Sequence, residues 1–241
     1  MACNIDMTEK GCKNPLSKIK NIGPGGSSQK QRRECKRDDV ARVAFELFME
    51  QGYEKTTMRQ IALRAKILNG SLYNLFTSKD DIFDYIVLRF MDMRHVRLSE
   101  MISDEKDLMF ALALPYVTEM MACSENKRVA ELMHEAYINW NTFNRIADLD
   151  TEWVEQIYGR FGVSFDMDSV RQTMVAFSGA FSKFIDRYLF TDDGNVHEDT
   201  RTLLIVLFTL LNIPVHNLDT LMQRYDDVLS GMISEMGMLE W

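Results

Sequence analysis

The chain has 241 residues, of which 46% are hydrophobic and 27% are charged, and its net charge is −8. This composition is that of an ordinary globular protein, long enough for one large core or two modest ones. Its longest apolar run, residues 203–211, is about half the length that a membrane-spanning helix needs. The N-terminus lacks the apolar core of a signal peptide. We therefore expect a cytoplasmic protein with no membrane partner.

The charge is distributed unevenly. Residues 1–37 contain nine Lys and Arg against three Asp and Glu, a net charge of +6. Residues 38–90 have a net charge of −1, and residues 91–241 a net charge of −13. A basic N-terminal end on an acidic chain would orient the molecule toward a polyanion.

Residues 1–36 are predicted to be a flexible basic tail. They contain Pro15, Pro24 and the sequence GPGGSS at residues 23–28, with few positions that could seed a core. The basic residues 30–37 at the end of this tail adjoin the first predicted helix. They are either a solubilising extension or an arm that contacts DNA phosphates or a minor groove.

A first helix is predicted from Asp38 or Asp39, either of which can cap it, to about Gln51. Gly52 is well placed to terminate this helix. Its buried face consists of apolar residues spaced three and four apart: Val40, Val43, Ala44, Leu47 and Phe48.

Residues 56–79 predict two short helices joined by a tight corner. The first helix should begin at Thr57, because Thr57 and Gln60 form a capping-box pattern. Residues 66–69 are too few for anything but a turn. The inward side of the second helix is Leu72, Leu75 and Phe76. Two helices joined by a turn of about four residues are the geometry that places a recognition helix in a DNA major groove.

Over residues 40–87 the chain resembles the N-terminal domain of the TetR (tetracycline-repressor-like) transcriptional regulators. The resemblance implies an all-α protein with an N-terminal three-helix helix-turn-helix DNA-binding domain (residues 37–84). A larger helical ligand-binding and dimerisation domain (residues 85–241) would follow. The matching residues are Ala44, Leu47, Phe48, Gly52, Tyr53, Thr56, Thr57, Ile61, Ala62, Ala65, Gly70, Ser71, Leu72, Tyr73, Phe76, Ser78 and Lys79.

Five of the expected DNA contacts concern the phosphate backbone and the groove wall. Thr57 and Arg59, at the start of the first short helix, can hold phosphates together with exposed N–H groups. Tyr73 and Lys79 stand at polar positions that the family uses on the DNA backbone. Gly70 allows close approach to the groove wall.

Base reading is assigned to the outward polar residues of the second short helix. These are Asn69, Ser71 and Asn74, and Asn is suited to a bidentate contact with adenine. Two residues depart from the family pattern: Lys66 replaces a turn Gly at a position that tends to need positive φ, and Leu68 replaces a capping Ser or Thr. Asn69 could cap instead, which would start the helix one residue later and leave base reading to Ser71 and Asn74.

The rest of the chain is predicted to be helical. A long helix should start at Ser78 and run to about residue 101. In the TetR family the equivalent helix relays ligand occupancy to the DNA-binding domain, which here is implied by resemblance. Asp104 and Asp168 are expected caps, and Pro115 is expected to kink or shorten its helix. The further predicted helices are 104–123, 126–145, 150–161, 168–190, 199–212 and 217–236.

Two of these helices suggest a homodimer. The helix at residues 170–189 has a face of small residues, and residues 203–211 are apolar almost all round. An intermolecular four-helix bundle would bury both; a purely internal core is the alternative, and the family resemblance favours the dimer. The expected interface residues are Val175, Ser178, Gly179, Ser182, Asp186 and Leu207.

A pocket for an unknown small-molecule effector is expected in the second domain. Aromatic and Met side chains suit its walls, although each could equally be an ordinary core residue. The candidates are Tyr116, Met120, His134, Tyr137, Trp140, Phe143, Phe177 and Phe181.

Catalytic and metal-binding patterns are missing from the sequence. Its four His show no HExxH motif, and neither GxSxG nor a phosphate-binding glycine loop occurs. The four Cys lack CxxC spacing, which favours reduced thiols over a disulfide or zinc site. Redox sensing by Cys3, Cys12 and Cys35 is the alternative. We predict no enzyme activity, no metal and no cofactor.

The sequence thus predicts a ligand-responsive transcriptional regulator, more specifically a repressor, that binds a palindromic double-stranded DNA operator as a homodimer. The alternative is a ligand- or protein-binding helical module whose helix-turn-helix has lost DNA binding. Lys66, Leu68 and the slightly acidic balance of residues 38–90 motivate that alternative.

Overall fold

A computed structural model describes residues 27–235 of the 241-residue chain. Within that part the protein is all-α, with ten helices and no strand. The predictions for residues 1–26 and 236–241, including those for Cys3 and Cys12, lie outside the described residues. The helices are α1 (Ser27–Gln51), α2 (Met58–Arg64), α3 (Asn69–Leu75), α4 (Lys79–Met101), α5 (Leu108–Glu125), α6 (Lys127–Ile138), α7 (Trp140–Phe161), α8 (Met167–Phe190), α9 (Val196–Leu210) and α10 (Leu218–Glu235).

The first helix is longer than the sequence predicted. α1 begins at Ser27 instead of Asp38 or Asp39, so the prediction of a flexible segment is wrong for residues 27–36. This segment is rich in Gln, Lys, Arg and Glu, which favour helix, and contains neither Gly nor Pro. A helix anchored by its apolar C-terminal half can therefore extend toward the N-terminus.

The N-terminal domain is the predicted three-helix arrangement, and the start of α4 completes its core. Gly52 ends α1 with a φ of +91°, as expected of a helix-terminating glycine. Tyr53 then packs back, its ring centroid 5.3 Å from that of Phe48 and 4.7 Å from that of Phe83. The buried side chains include Val40, Ala44 and Phe48 of α1, Ile61 of α2, Leu72 of α3, and Ile82, Phe83 and Ile86 of α4.

The second domain is a larger helical bundle built around α5. α8 packs against α6, α7 and α9, and α9 packs against α5. α10 lies against α5, where the Tyr225 hydroxyl donates to the Phe110 carbonyl at 3.0 Å and the two rings stack. Between residues 27 and 235, no helix is long and apolar enough to cross a membrane.

One predicted helix boundary lies in the wrong place. The predicted break between residues 145 and 150 does not occur, because that stretch belongs to the continuous α7. The chain breaks instead at Asn139, whose side chain accepts from the first backbone N–H groups of α7. Asn is a strong N-cap residue, whereas residues 146–149 (IADL) contain no helix breaker.

Two predicted caps and the effect of Pro115 also need correction. α5 is capped by Asp107 instead of Asp104, and α8 by Asp166 instead of Asp168. In each case the capping carboxylate accepts backbone N–H bonds that start the helix. α5 also continues through Pro115, because its surroundings bury the helix on all sides and offset the lost backbone hydrogen bond.

The two domains contact each other through α4 and through the pair α1 and α6. α4 runs unbroken from the N-terminal domain into the second domain and packs there against α7. At that contact the Thr142 hydroxyl donates to the Asp84 carboxylate. On the other side, a Cβ built on Gly52 would lie 3.0 Å from the Arg128 guanidinium of α6. The two domains thus share contacts at two separate places.

Candidate functional site

The start of α2 has the capping box that the sequence predicts. The Gln60 N–H donates to Thr57 Oγ1 at 3.3 Å, and the Thr57 N–H donates to Gln60 Oε1 at 2.8 Å. Thr57 and Arg59 are both exposed. This short helix therefore presents its first turn, with two side chains that suit phosphates, to the solvent.

The corner between α2 and α3 contains the two residues that depart from the family pattern, Lys66 and Leu68. Lys66 adopts a φ of +56°, which confirms the need for positive φ at this position. α3 begins at Asn69 with Leu68 as its N-cap, and no side chain makes a capping hydrogen bond there. The alternative in which Asn69 is the cap is therefore wrong. Packing of the fully buried Leu72 holds α3 in place instead.

α3 presents a polar surface to the solvent. The sequence-predicted residues Asn69, Gly70, Ser71, Tyr73 and Asn74 are all exposed. A hydrogen-bonding surface on a helix anchored in a small core is what major-groove reading requires.

Leu68 is a surface residue that sequence reasoning treated only as a lost cap. Its side chain is 80% exposed, directly before the polar face of α3. An apolar side chain at this place can meet a thymine methyl group. The sequence contained one signal for this surface role: Leu68 is an apolar residue that stands at the start of a helix and has no position to fill in the core.

Lys79 is more engaged within the protein than the sequence suggested. Its Nζ donates to the Tyr53 carbonyl at 2.9 Å and lies 3.9 Å from the centroid of the Tyr53 ring. Lys79 is half-buried, so only part of its ammonium group is available to a DNA phosphate. Its main effect is to tie the start of α4 to the end of α1.

The basic N-terminal part of α1 lies beside the recognition helix. Arg33 Nη2 donates to the Asn74 carbonyl at the end of α3, at 3.4 Å. Lys30, Arg32 and Lys36 on the same part of α1 are exposed. Residues 30–37, hereafter the basic arm, thus join the same surface as α3. Sequence reasoning missed this placement because it expected no helix here.

A buried polar cluster lies in the second domain. Arg94 of α4 donates through Nη1 to the carboxylate of Glu119 on α5, which also accepts from the Tyr137 hydroxyl at 3.1 Å. His95 Nε2 is 4.0 Å from Oδ1 of Asp150 on α7. These charged side chains are between 1% and 11% exposed. No local sequence pattern predicted the cluster, since its members come from distant helices.

Burial sets the protonation states within this cluster. It raises the pKa of Asp150 to about 7, while nearby Arg94 opposes the rise and Glu119 adds to it. Burial, with the neighbouring positive charge of Arg94, lowers the pKa of His95 to about 3, so this imidazole is neutral. Burial also works against the charge of Arg94, but Glu119 and Asp150 hold the pKa of Arg94 above its ordinary value.

Five of the predicted pocket residues are buried beside the polar cluster. Tyr116 and Met120 lie one turn apart on α5. The Tyr116 ring meets Phe177 edge-on with centroids 4.8 Å apart, and Phe181 lies 5.8 Å from Tyr137. The structure thus brings these aromatic residues to one side of the cluster.

The other three predicted pocket residues are less buried, and their assignment stays a prediction. His134 Nδ1 is paired with Asp186 Oδ1 at 2.7 Å. Trp140 is 71% exposed because the break at Asn139 places it at the first turn of α7. Phe143 stacks on Trp140 with centroids 6.0 Å apart and meets Tyr137 edge-on with centroids 6.4 Å apart.

Two of the predicted dimer residues, Ser178 and Leu207, face the interior of the subunit. Ser178 is 1% exposed and its hydroxyl points to Asp150 Oδ2 at 3.5 Å. Leu207 is fully buried, and Asp186 is held by His134 and Lys183. The assignment of Ser178 and Leu207 to an interface is therefore wrong, whereas that of Asp186 stays a prediction. α8 and α9 bury more than one face, so periodicity could not tell an internal face from an intersubunit one.

The exposed faces of α8 and α9 carry other residues suited to contact. Val175, Gly179 and Ser182 are only partly buried, so the predictions for these three remain open. On α9, Ile205 and Leu210 are 43% and 41% exposed. These two apolar side chains were missed because the whole segment reads as apolar.

The described cysteines and acidic groups show no metal-site geometry. Cys35 and Cys123 are not joined by a disulfide, and Cys123 is buried. Across residues 27–235, no three His, Cys, Asp or Glu side chains come together in a group that could hold a metal ion.

The fold and the exposed α3 define a two-domain, all-helical helix-turn-helix protein. Residues 41–86 match the family model described as bacterial regulatory proteins, tetR family. Through this N-terminal domain the chain is similar to the TetR family of regulators. The HTH-type transcriptional repressor KstR2 of Rhodococcus jostii (strain RHA1) is 28% identical over 123 residues, covering 50% of this chain and 60% of that protein. The chain thus spans less than two thirds of that relative's length.

Solved structures of TetR-family regulators share the whole architecture. The Thermus thermophilus FadR, a TetR-family repressor in complex with lauroyl-CoA, matches with a TM-score of 0.60 and 16% identity over 75% of this chain and 97% of that chain. RolR in complex with resorcinol matches with a TM-score of 0.59 and 14% identity, covering 78% and 99%. At these identities the likeness establishes the fold.

Proposed function

We propose that this chain is a ligand-responsive transcriptional repressor that binds a palindromic DNA operator as a homodimer in the cytoplasm. The observation that carries the proposal is α3, which exposes a polar face while Leu72 anchors it in the core of a TetR-family domain. Residues 37–84 would read DNA, and residues 85–241 would bind the effector and form the dimer. The repressor KstR2 among the relatives supports the direction of regulation.

The DNA contacts follow from exposure and side-chain chemistry. Asn69, Ser71 and Asn74 would meet base edges, with Asn suited to adenine, and Leu68 would lie against a thymine methyl group. Thr57, Arg59 and Tyr73, with part of Lys79, would contact phosphates and so fix the register on the duplex.

The basic arm would add phosphate contacts beside the same operator. Its exposed Lys and Arg residues neutralise phosphates and release counterions, so they increase affinity without reading sequence. The hydrogen bond from Arg33 to the Asn74 carbonyl supports this placement, because it holds the arm against the end of α3.

Binding to a DNA fragment from upstream of the protein's own gene tests this proposal. Fluorescence anisotropy over a salt series should show affinity falling as salt rises. Asn74→Ala should weaken sequence-specific binding by about tenfold or more, from the loss of a base contact. Asn141→Ala, an equally exposed Asn on α7, is the matched control and should leave affinity unchanged. Binding that is insensitive to salt and to Asn74→Ala would favour a helical module that no longer binds DNA.

Dimerisation would use the exposed faces of α8 and α9. Ile205 and Leu210 on α9 supply apolar area, and Gly179 on α8 allows a second helix to approach closely. Two subunits joined in this way would present their α3 helices to successive half-sites.

The effector would act through α4. This one helix begins in the N-terminal domain at Lys79 and carries Arg94 and His95 of the polar cluster. A ligand that prefers one position of α4 shifts the population toward one spacing of the two α3 helices. Release of DNA follows if that spacing does not fit the operator.

A further inference from the structure

We propose that the buried polar cluster is the effector site and that it selects a small apolar carboxylate. The ligand's carboxylate would bind the free edge of the Arg94 guanidinium, and its hydrocarbon body would lie against Phe177 and Phe181. This inference rests on the proposed function, since it names the ligand class of the effector site. It can be tested on the protein without DNA.

Unpartnered polar atoms are concentrated at this place. Five of the seven buried side-chain nitrogen and oxygen atoms that lack a hydrogen-bond partner within the described chain belong to the cluster. Buried polar groups are rarely left without partners, because each lost hydrogen bond is costly. A partner from outside the chain is therefore expected. The five atoms are Arg94 Nε and Nη2, His95 Nε2, Tyr116 Oη and Asp150 Oδ1.

The free groups are mainly hydrogen-bond donors. Arg94 uses Nη1 for Glu119, which leaves the edge formed by Nε and Nη2. That edge presents two parallel N–H groups, the arrangement that binds a carboxylate through both of its oxygens. The Tyr116 hydroxyl can add a third donor. His95 Nε2 and the Tyr116 hydroxyl can each donate or accept, and Asp150 Oδ1 accepts when ionised. The two Arg94 groups, in contrast, can only donate. The ligand must therefore supply acceptors.

The charges in the cluster allow no more than one negative charge on the ligand. Arg94 and Glu119 cancel each other, and Asp150 is neutral once protonated, with its pKa raised to about 7 by burial. Protonated Asp150 can donate to a ligand carboxylate. A ligand ammonium group would instead be repelled by the positive guanidinium, and it has no acceptor for the free edge of Arg94. A doubly charged phosphate would face Glu119 with too little positive charge nearby.

The apolar surroundings define the rest of the ligand. Tyr116, Phe177 and Phe181 form a contiguous aromatic wall, with ring centroids between 4.8 and 6.1 Å apart. Met120 is fully buried one turn from Tyr116 and provides an adaptable apolar surface. A few convergent polar groups against an apolar wall are the usual composition of a small-molecule site.

Calorimetry on the full-length protein with a defined set of probes tests this inference. The probes are octanoate and 3-phenylpropanoate, the two corresponding amides, 3-phenylpropylamine and lauroyl-CoA. We expect each carboxylate to bind about tenfold or more tightly than its amide, from the charge-assisted pair with Arg94. Arg94→Lys keeps the charge but loses the two-pronged edge, and should abolish most of this preference. Arg171→Lys, an exposed arginine on α8, is the matched control.

Several outcomes would overturn the inference. The first is equal binding of acid and amide, or a preference for the amine or for lauroyl-CoA. The second is an unaltered acid preference in Arg94→Lys. The third is that neither carboxylate binds at a concentration of about 10 mM, where even a weak ligand would be detected. If Arg94→Lys does not fold, Tyr116→Phe, which removes one oxygen atom, should lower carboxylate affinity several-fold. DNA binding is measured separately, so its failure alongside intact carboxylate selectivity would refute the regulator proposal and leave this one standing.

Discussion

Replacement of Asp150 tests the electrostatics of the second domain directly. The side chain is 1% exposed, and burial raises its pKa from 3.8 to about 7. Between these two pH values the folded protein holds a proton that the unfolded chain has released. The stabilising effect of this protonated group is therefore greatest below pH 4 and is lost as the pH rises to about 7. From pH 5 to pH 7, a change of about two pH units, the loss amounts to about 3 kcal/mol.

Asp150→Asn should remove this pH dependence, because the amide has nearly the same shape and does not ionise. The free energy of unfolding is measured in urea at pH 5 and at pH 8. Between these two pH values it should fall by about 3 kcal/mol more in the wild type than in the variant. Protein concentration must be held constant because the stability of the proposed dimer would depend on it. Asp148→Asn, an exposed carboxylate on the same helix, is the control. An identical fall in wild type and Asp150→Asn would refute the reasoning.

Three further predictions concern the helix-turn-helix and the dimer. Thr57→Ala removes the capping box of α2 and should lower the free energy of unfolding in urea by about 1 kcal/mol. Thr202→Ala, at an exposed position, is the control, and an equal effect in both variants would argue against the cap. Lys66→Gly relieves the left-handed backbone at φ +56° and should raise stability by about 0.5–1 kcal/mol in the same assay, whereas a loss would show that the Lys side chain matters more than its backbone. Ile205→Asp should give a monomer in sedimentation equilibrium that stays helical by circular dichroism, whereas Leu207→Asp should unfold the domain. A dimer that survives Ile205→Asp would place the interface elsewhere.

The features that the sequence predicted correctly are those with local causes. The Thr57 capping box, the helix end at Gly52 and the positive φ at Lys66 each depend on a few neighbouring residues. The start of α1 was missed because a segment without an apolar stripe gives no signal of its own, yet becomes helical once joined to an anchored helix.

The buried polar cluster could not be found by local reasoning. Arg94 lies on an otherwise amphipathic helix, and its partner Glu119 stands 25 positions later. Nothing near either residue indicates that both are buried. The same limit explains the errors at Ser178 and Leu207, because a helix that is apolar on several sides does not reveal which side meets the subunit's own core.

The continuity of α1 has a consequence for the entropy of the proposed DNA binding. The 25-residue helix carries the basic arm at one end and core residues at the other, so the arm is ordered before any DNA arrives. A disordered tail would lose about 1–2 kcal/mol of backbone conformational freedom for each residue that DNA fixes. An arm that is already helical avoids most of that loss and keeps more of its electrostatic attraction as affinity. It also turns with the helix-turn-helix as one body, so a change in the angle of α1 alters phosphate contacts and base contacts together.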